Sequence, residues 1–282
     1  MNRRHVQQSL LAFTLMVGAC ACAQTDEENI LNALANVERV ADPQQERTVL
    51  VYSKASAFVH RSIPVVNAML RLLGEESGAF TAVFNNDEQE FTPEYLQQFD
   101  MVFFNNTTGV QRAFTTEAQR SALLDYVRNG SGWGGLHAAT DAGGEGWMEY
   151  TRMVGGQFDG HPWGSQGTWP IVVDDPDHPI VQGYSQTAFM LSDEIYVFKH
   201  YDRSQLRVLV SIDADATDRP GRPDNDHPIV WVKEYGEGRV FYSSLGHNNE
   251  VFFNSEILQH HLNGIQFALG DLEVDTTSLP LQ

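Results

Sequence analysis

Between residues 48 and 136 the chain alternates short apolar runs with segments of helical periodicity, and few folds accept that pattern. The runs 48–52 (TVLVY), 80–84 (FTAVF), 101–104 (MVFF) and 132–136 (GWGGL) are too short for helices and too apolar to have one face in water. Strands buried on both faces and joined through helices form a parallel sheet with helices on either side. The helix signals fall between them. Ser62-Ile63-Pro64 supplies an N-cap with proline two residues in, opening a helix to Leu73, and Thr92-Pro93-Glu94 starts another. Residues 116–128 place Ala118, Leu123, Leu124 and Val127 at helical spacing before Asn129-Gly130 ends the helix. The second half is richer in strand signals, at 169–173, 195–198, 207–212, 229–233 and 239–243, and a helix over about 254–269 closes a single α/β domain.

The N-terminus reads differently. Arg3 and Arg4 precede an apolar run over 10–19 that is too short to span a bilayer, the layout of an export signal over residues 1–23. Val17-Gly18-Ala19-Cys20 has the form of a bacterial lipobox, making Cys20 the expected lipidated first residue of a periplasmic or outer-membrane-anchored lipoprotein; cleavage after Ala21 or Ala23 is the alternative. Residues 24–47 are polar and acidic and read as a tether, with a docked helix around 30–40 as the alternative; 273–282 read as a C-terminal tail. Cys20 and Cys22 are the only cysteines, so the body has no disulfide, no thiolate metal site and no cysteine nucleophile. A net charge of −19 opposes nucleic acid and anionic membrane surfaces, leaving the lipid anchor as the expected membrane contact and a small neutral or cationic molecule as the expected partner.

Ten histidines are present, and His60, His137, His161, His227 and His247 adjoin glycine, proline or a capping residue instead of sitting within an element. His137 and His247 each follow a predicted strand, and ligands of open parallel sheets sit outside the carboxyl ends of the strands. Glu194 stands beside Asp193 before an apolar stretch, and adjacent carboxylates in an extended chain point to opposite faces, so one of the two is expected to face the crevice. His137, His247 and Glu194 are therefore the candidate catalytic residues. His60, Asp141, His161 and Trp163 are candidates for substrate contact, and His60, His137, Glu194 and His247 for a divalent metal of zinc or manganese type. Each has a structural alternative: a backbone-satisfied loop histidine at His60, a turn histidine stacked on Trp163 at His161, a surface charge pair at Asp193 and Glu194, core packing for Trp147, Trp163 and Trp169. Metal-free acid–base work by histidine is equally compatible with the spacing. No GxGxxG follows the first strand and no GxxxxGK[ST], HExxH or GxSxG is present, so no nucleotide cofactor is expected. Gly143-Gly144-Glu145-Gly146 has the composition of a flexible lid.

Taken together, FVHRSIP, WGGLHAATD, GGQFDGHPW, SDEIYVF, HPIVWVKEYGEGRVFYSSLGH and NGIQFALG, in that order and spacing, resemble the ThuA-like family, named for trehalose utilisation, over roughly 48–272. The resemblance implies a flavodoxin-like, class I glutamine amidotransferase-like three-layer sandwich with a mainly parallel sheet. In that fold the strand-to-helix turn holds a catalytic cysteine; here His137 stands at the equivalent place, and without a thiol glutaminase chemistry is excluded. The activity implied is saccharide catabolism, on trehalose-type disaccharides or their 3-keto derivatives, by isomerisation, epimerisation, elimination or hydrolysis. The signal segment and acidic stretch lie outside the family's core pattern. A non-catalytic carbohydrate-binding or envelope-scaffolding lipoprotein is the rival reading.

Overall fold

Apolar runs of this kind pair side by side, and a computed structural model, which describes residues 24–141, 146–219 and 221–281, places them in one nine-stranded sheet. The half that carries the strand-end histidines is parallel. β1 (Thr48–Tyr52) lies between β2 (Thr81–Phe84) and β3 (Met101–Asn105), followed by β4 (Gly132–Leu136). β5 (Gln157–Phe158) and β8 (Phe198–Lys199) form a separate ribbon. β6 (Trp169–Val173), β7 (Ala188–Leu191), β9 (Arg207–Ile212) and β10 (Pro228–Tyr235) extend the sheet with antiparallel pairing. β11 (Gly238–Ser243) joins the halves, antiparallel to β10 and parallel to β4, with Ser243 opposite Leu136.

Alternate side chains of each strand face opposite layers. Val49 and Val51 enter one hydrophobic cluster and Leu50 and Tyr52 the other; Met101 and Phe103 divide from Val102 and Phe104 in the same way. On the first face pack α1 (Asp26–Leu34), α2 (Ile63–Ser77) and α7 (Ser255–Leu269). On the second pack α3 (Pro93–Leu96), α4 (Val110–Ala113), α5 (Glu117–Arg128) and α6 (Met148–Val154). This is the three-layer sandwich expected. α7 crosses β4 so closely that a Cβ at Gly132 would lie 2.3 Å from the Ala268 carbonyl oxygen, which explains a glycine inside a central strand.

Three local expectations are corrected. Residues 24–47 are not a free tether. Thr25 caps α1 in a capping box with Glu28, and Ile30, Ala33 and Leu34, spaced i, i+3 and i+4, are buried against the first face. Beyond α1, Glu38 exchanges hydrogen bonds of 2.9 and 2.8 Å with Gln259, and Gln266 holds Val40 and Ala41. Three apolar residues are a faint signal among so many acids, yet they suffice once a groove between α2 and α7 receives them. The strand expected over 195–198 is largely irregular: Ile195 makes one isolated bridge to Trp163 and only Phe198 enters a ribbon, because this segment leaves the sheet to cross its carboxyl end. Ser62 precedes α2 without capping it; its hydroxyl donates instead to the Gly246 carbonyl at 2.7 Å.

The tail is partly pinned, with His178 Nε2 3.0 Å from the Asp275 carbonyl and Arg207 donating to that of Thr277. The signal segment with Cys20, and Gly143, Gly144 and Glu145, lie outside the described residues. Among those described, no helix is long and apolar enough to cross a membrane.

Candidate functional site

The crevice begins with the backbone. β3, β4 and β11 end side by side, and the residue following β4, His137, has φ of +47°, while Asn106, following β3, has φ of +52°. A side chain other than glycine in this left-handed region costs roughly 1–2 kcal/mol. At His137 the conformation is held by its own carbonyl, which accepts from the Tyr242 hydroxyl at 2.7 Å and the Thr140 hydroxyl at 3.2 Å. Strain fixed by its surroundings is characteristic of functional turns.

The same turn sets the imidazole. His137 Nδ1 lies 2.7 Å from the Ser244 carbonyl oxygen, which can only accept, so Nδ1 carries the proton and, in the neutral ring, Nε2 presents a lone pair. That Nε2 is buried without a hydrogen-bond partner among the described residues and lies 3.7 Å from Glu194 Oε1. His247, after β11 and Gly246, brings its Nδ1 to 3.2 Å from the same oxygen, without the alignment of a hydrogen bond. His60, from the loop between β1 and α2, rests its Nδ1 3.4 Å from the Thr108 hydroxyl. Its ring stands nearly perpendicular to those of His137 and His247, with centroids 4.9 and 5.2 Å away. One ligand atom from each of His60, His137, Glu194 and His247 lies within 4.8 Å of all the others.

Asp193 builds this convergence from behind. Its fully buried carboxylate accepts from the Gly246 N–H at 2.6 Å and the Asn248 N–H at 2.8 Å, clamping the turn on both sides of His247, while Glu194 turns the other way toward the rings. Gly246 itself has φ of +134°, and a Cβ there would lie 2.5 Å from Leu136.

Electrostatics follow from burial and contact. Burial pushes the Glu194 carboxyl up, but His137 and His247, when protonated, outweigh it and hold it below the usual carboxylate range. Glu194 in turn raises His247 against the opposing effect of burial. Burial, reinforced by His137 and His247, pushes His60 down to about 3, so His60 is neutral and offers a lone pair. A cluster with an ionised carboxylate and convergent imidazole lone pairs has the donor set of a site for a divalent cation.

Of the residues singled out from sequence, His60, His137, Glu194 and His247 meet. His161 sits at the rim, half exposed, with Nδ1 3.5 Å from Glu194 Oε2; it stacks on Phe158 at 6.0 Å, not on Trp163. Asp141 is half-buried where the turn after β4 ends, and burial raises its carboxyl against the influence of Arg112, Lys199 and His137. Trp163 does not line the crevice: it is fully buried in the core, edge-on to His227 at 4.9 Å. Trp147 packs on Tyr150 and Phe114, and Trp169 packs against the core, as their structural alternatives require. Sequence reasoning missed the clamp at Asp193 and missed Tyr196, whose ring lies 4.1 Å from that of His137. Tyr196 stands two residues after Glu194, and in extended chain that spacing puts both on one face.

Comparison with known proteins bears on the family and the fold. Residues 48–268 match the model of the ThuA family, described as trehalose utilisation. The fold is similar to that of a ThuA-like protein from Bacteroides uniformis, at 23% identity and a TM-score of 0.66, covering 80% of this chain and 92% of that one. A ThuA-like protein from Parabacteroides merdae is similar at 20% identity and a TM-score of 0.62, covering 84% and 98%. A β-galactosidase from Bacillus circulans sp. alkalophilus shares the fold over 31% of its own length and 80% of this chain, at 11% identity and a TM-score of 0.52. No curated protein sequence matches the chain.

Proposed function

The chain belongs to the ThuA trehalose-utilisation family, and from that premise we propose that it is a metal-assisted enzyme acting on a trehalose-type or keto sugar. One observation carries the reading: one donor atom from each of four residues converges within 4.8 Å, and the His137 Nε2 is buried with no hydrogen-bond partner among the described residues. A buried lone pair left unpaired is costly, and a cation is the partner its neighbours suit.

Three imidazoles and one carboxylate, His60, His137, His247 and Glu194, would hold the ion. When bound it would supply Lewis acidity toward a carbonyl or hydroxyl oxygen of the sugar.

The chain's own residues divide the remaining work. Tyr196 and Phe158, with centroids 4.4 Å apart, wall the crevice beside His137. His161 at the rim is reachable from solvent and adjoins Glu194, so it is placed to take a proton from, or return one to, a carbon next to a sugar carbonyl. Asp141, its carboxyl raised by burial, is the second proton-carrying candidate.

The test is deuterium wash-in. Metal-replete protein incubated with 3-ketotrehalose in deuterium oxide is expected to exchange the hydrogen on the carbon beside the carbonyl, and His161→Asn to slow that exchange. Absence of both exchange and any other conversion of the sugar overturns the catalytic reading. Export as a lipoprotein through Cys20 is proposed from the residues before it alone, and Cys20→Ser is expected to release the protein from membranes while Cys22→Ser does not.

A further inference from the structure

We infer that Phe58 is the apolar seat for one face of the substrate's pyranose ring, beside the His60 edge of the site. The inference rests on the sugar-processing reading above and adds the surface that would recognise the sugar.

Phe58 and Val59 are 62% and 65% exposed. Among the described residues the other exposed large apolar ones, Leu31, Val40, Phe84, Met190 and Leu281, are dispersed along the chain, whereas these two are consecutive and adjoin the convergent histidines. Phe58 meets His60 edge to face, with centroids 4.8 Å apart at 80°. The loop is fixed on both sides of the pair. The Ser56 N–H donates to the Thr108 carbonyl at 2.7 Å, His60 Nδ1 rests on the Thr108 hydroxyl, and the His60 carbonyl accepts from the Ile63 N–H. An exposed aromatic ring on an anchored loop is held at a set position, and that position is next to a ligand of the candidate centre.

The other rim differs. There His161 stacks on Phe158, and Glu194 lies behind it. A crevice with an exposed aromatic ring beside His60 and imidazole and carboxylate groups at His161 and Glu194 suits a pyranose, whose C–H face packs on an aromatic ring while its edge carries oxygens for polar groups. Other occupants fit less well. Two side chains fall far short of the roughly 800 Å² per partner that a stable protein interface buries, and a chain of net charge −19 is repelled by an anionic lipid surface.

The test uses the full chain and titrates α,α-trehalose and 3-ketotrehalose calorimetrically into wild type, Phe58→Ala and Phe58→Trp. Phe58→Ala is expected to weaken binding by roughly tenfold or more, equivalent to about 1.4 kcal/mol, with metal content and melting temperature unchanged. Phe58→Trp is expected to retain binding and to report it through tryptophan fluorescence. Equal affinity of Phe58→Ala and wild type, or binding of neither sugar by wild type, overturns the inference. A change of sedimentation in Phe58→Ala also overturns it, since that would make a second copy of the chain the occupant. Metal content measured on the same samples separates the two readings: sugar affinity lost with Phe58 in a protein that never holds metal removes the metal-assisted function and leaves the seat standing.

Discussion

Asp193→Asn is expected to loosen the turn that carries His247 without disturbing the sheet. In the native protein the two carboxylate oxygens of the buried Asp193 accept from the Gly246 and Asn248 N–H groups at 2.6 and 2.8 Å, the first bond buried and the second partly so. Hydrogen bonds to a charged group contribute about 1.5–3 kcal/mol each. Asparagine keeps one oxygen but turns an NH₂ toward the second N–H, so one bond is lost and a donor faces a donor. The expected destabilisation is ~2–4 kcal/mol. Part of the effect should reach the site, because changes behind a metal ligand typically lower affinity 10–100-fold. Urea denaturation gives the first quantity, and chelator competition with zinc or manganese, corrected for the folded fraction, gives the second. Unchanged stability would refute the hydrogen-bond argument; lower stability with undiminished affinity per folded chain would refute the claim that Asp193 positions His247.

Deleting residues 24–45 should lower the melting temperature by several degrees, because Ile30 and Leu34 each bury a side chain contributing ~1.5–3 kcal/mol; an unchanged transition in calorimetry would contradict the packing of α1. His261 is fully buried among Phe241, Phe252 and His260, its ring nitrogens have no hydrogen-bond partners among the described residues, and burial pushes its pKa down to about 3. The folded state keeps it neutral while the unfolded chain protonates near 6.5, so its contribution is complete above about pH 6.5 and is lost as pH falls toward about 3, by ~1.4 kcal/mol per pH unit. His261→Leu should flatten the stability profile between pH 4 and 6.5, and an unaltered slope in urea titrations would refute this.

The sheet was legible because its signals are local and redundant. TVLVY and MVFF have no other home than the middle of an α/β sandwich, and His137 and His247 stood out because each follows such a run. The meeting of the four site residues was legible only as a consequence of topology: nothing in the spacing of His60 and Glu194 says that the loop after β1 and the crossing segment after β7 reach the same point. What escaped depends on contacts between distant segments. Ser62 has the sequence of an N-cap, but the Gly246 carbonyl, brought over by β11, claims its hydroxyl. Asp193 reads as half of a surface pair until the turn at 246–248 supplies two N–H groups to it. Trp163 lies in a glycine-rich loop that suggests an open pocket, yet its ring is large enough that the core takes it.

The most direct test of the metal-centred account is elemental analysis by plasma mass spectrometry of wild type and His137→Asn, each stripped with chelator and reloaded with zinc or manganese. Asparagine tolerates the φ of +47° at this position, so the variant should melt within a few degrees of wild type despite losing its bond to Ser244. The account predicts one tightly held divalent ion per wild-type chain and loss of that ion in the variant. A wild-type protein that holds no stoichiometric ion after reloading, or a variant that holds it equally tightly, would contradict it.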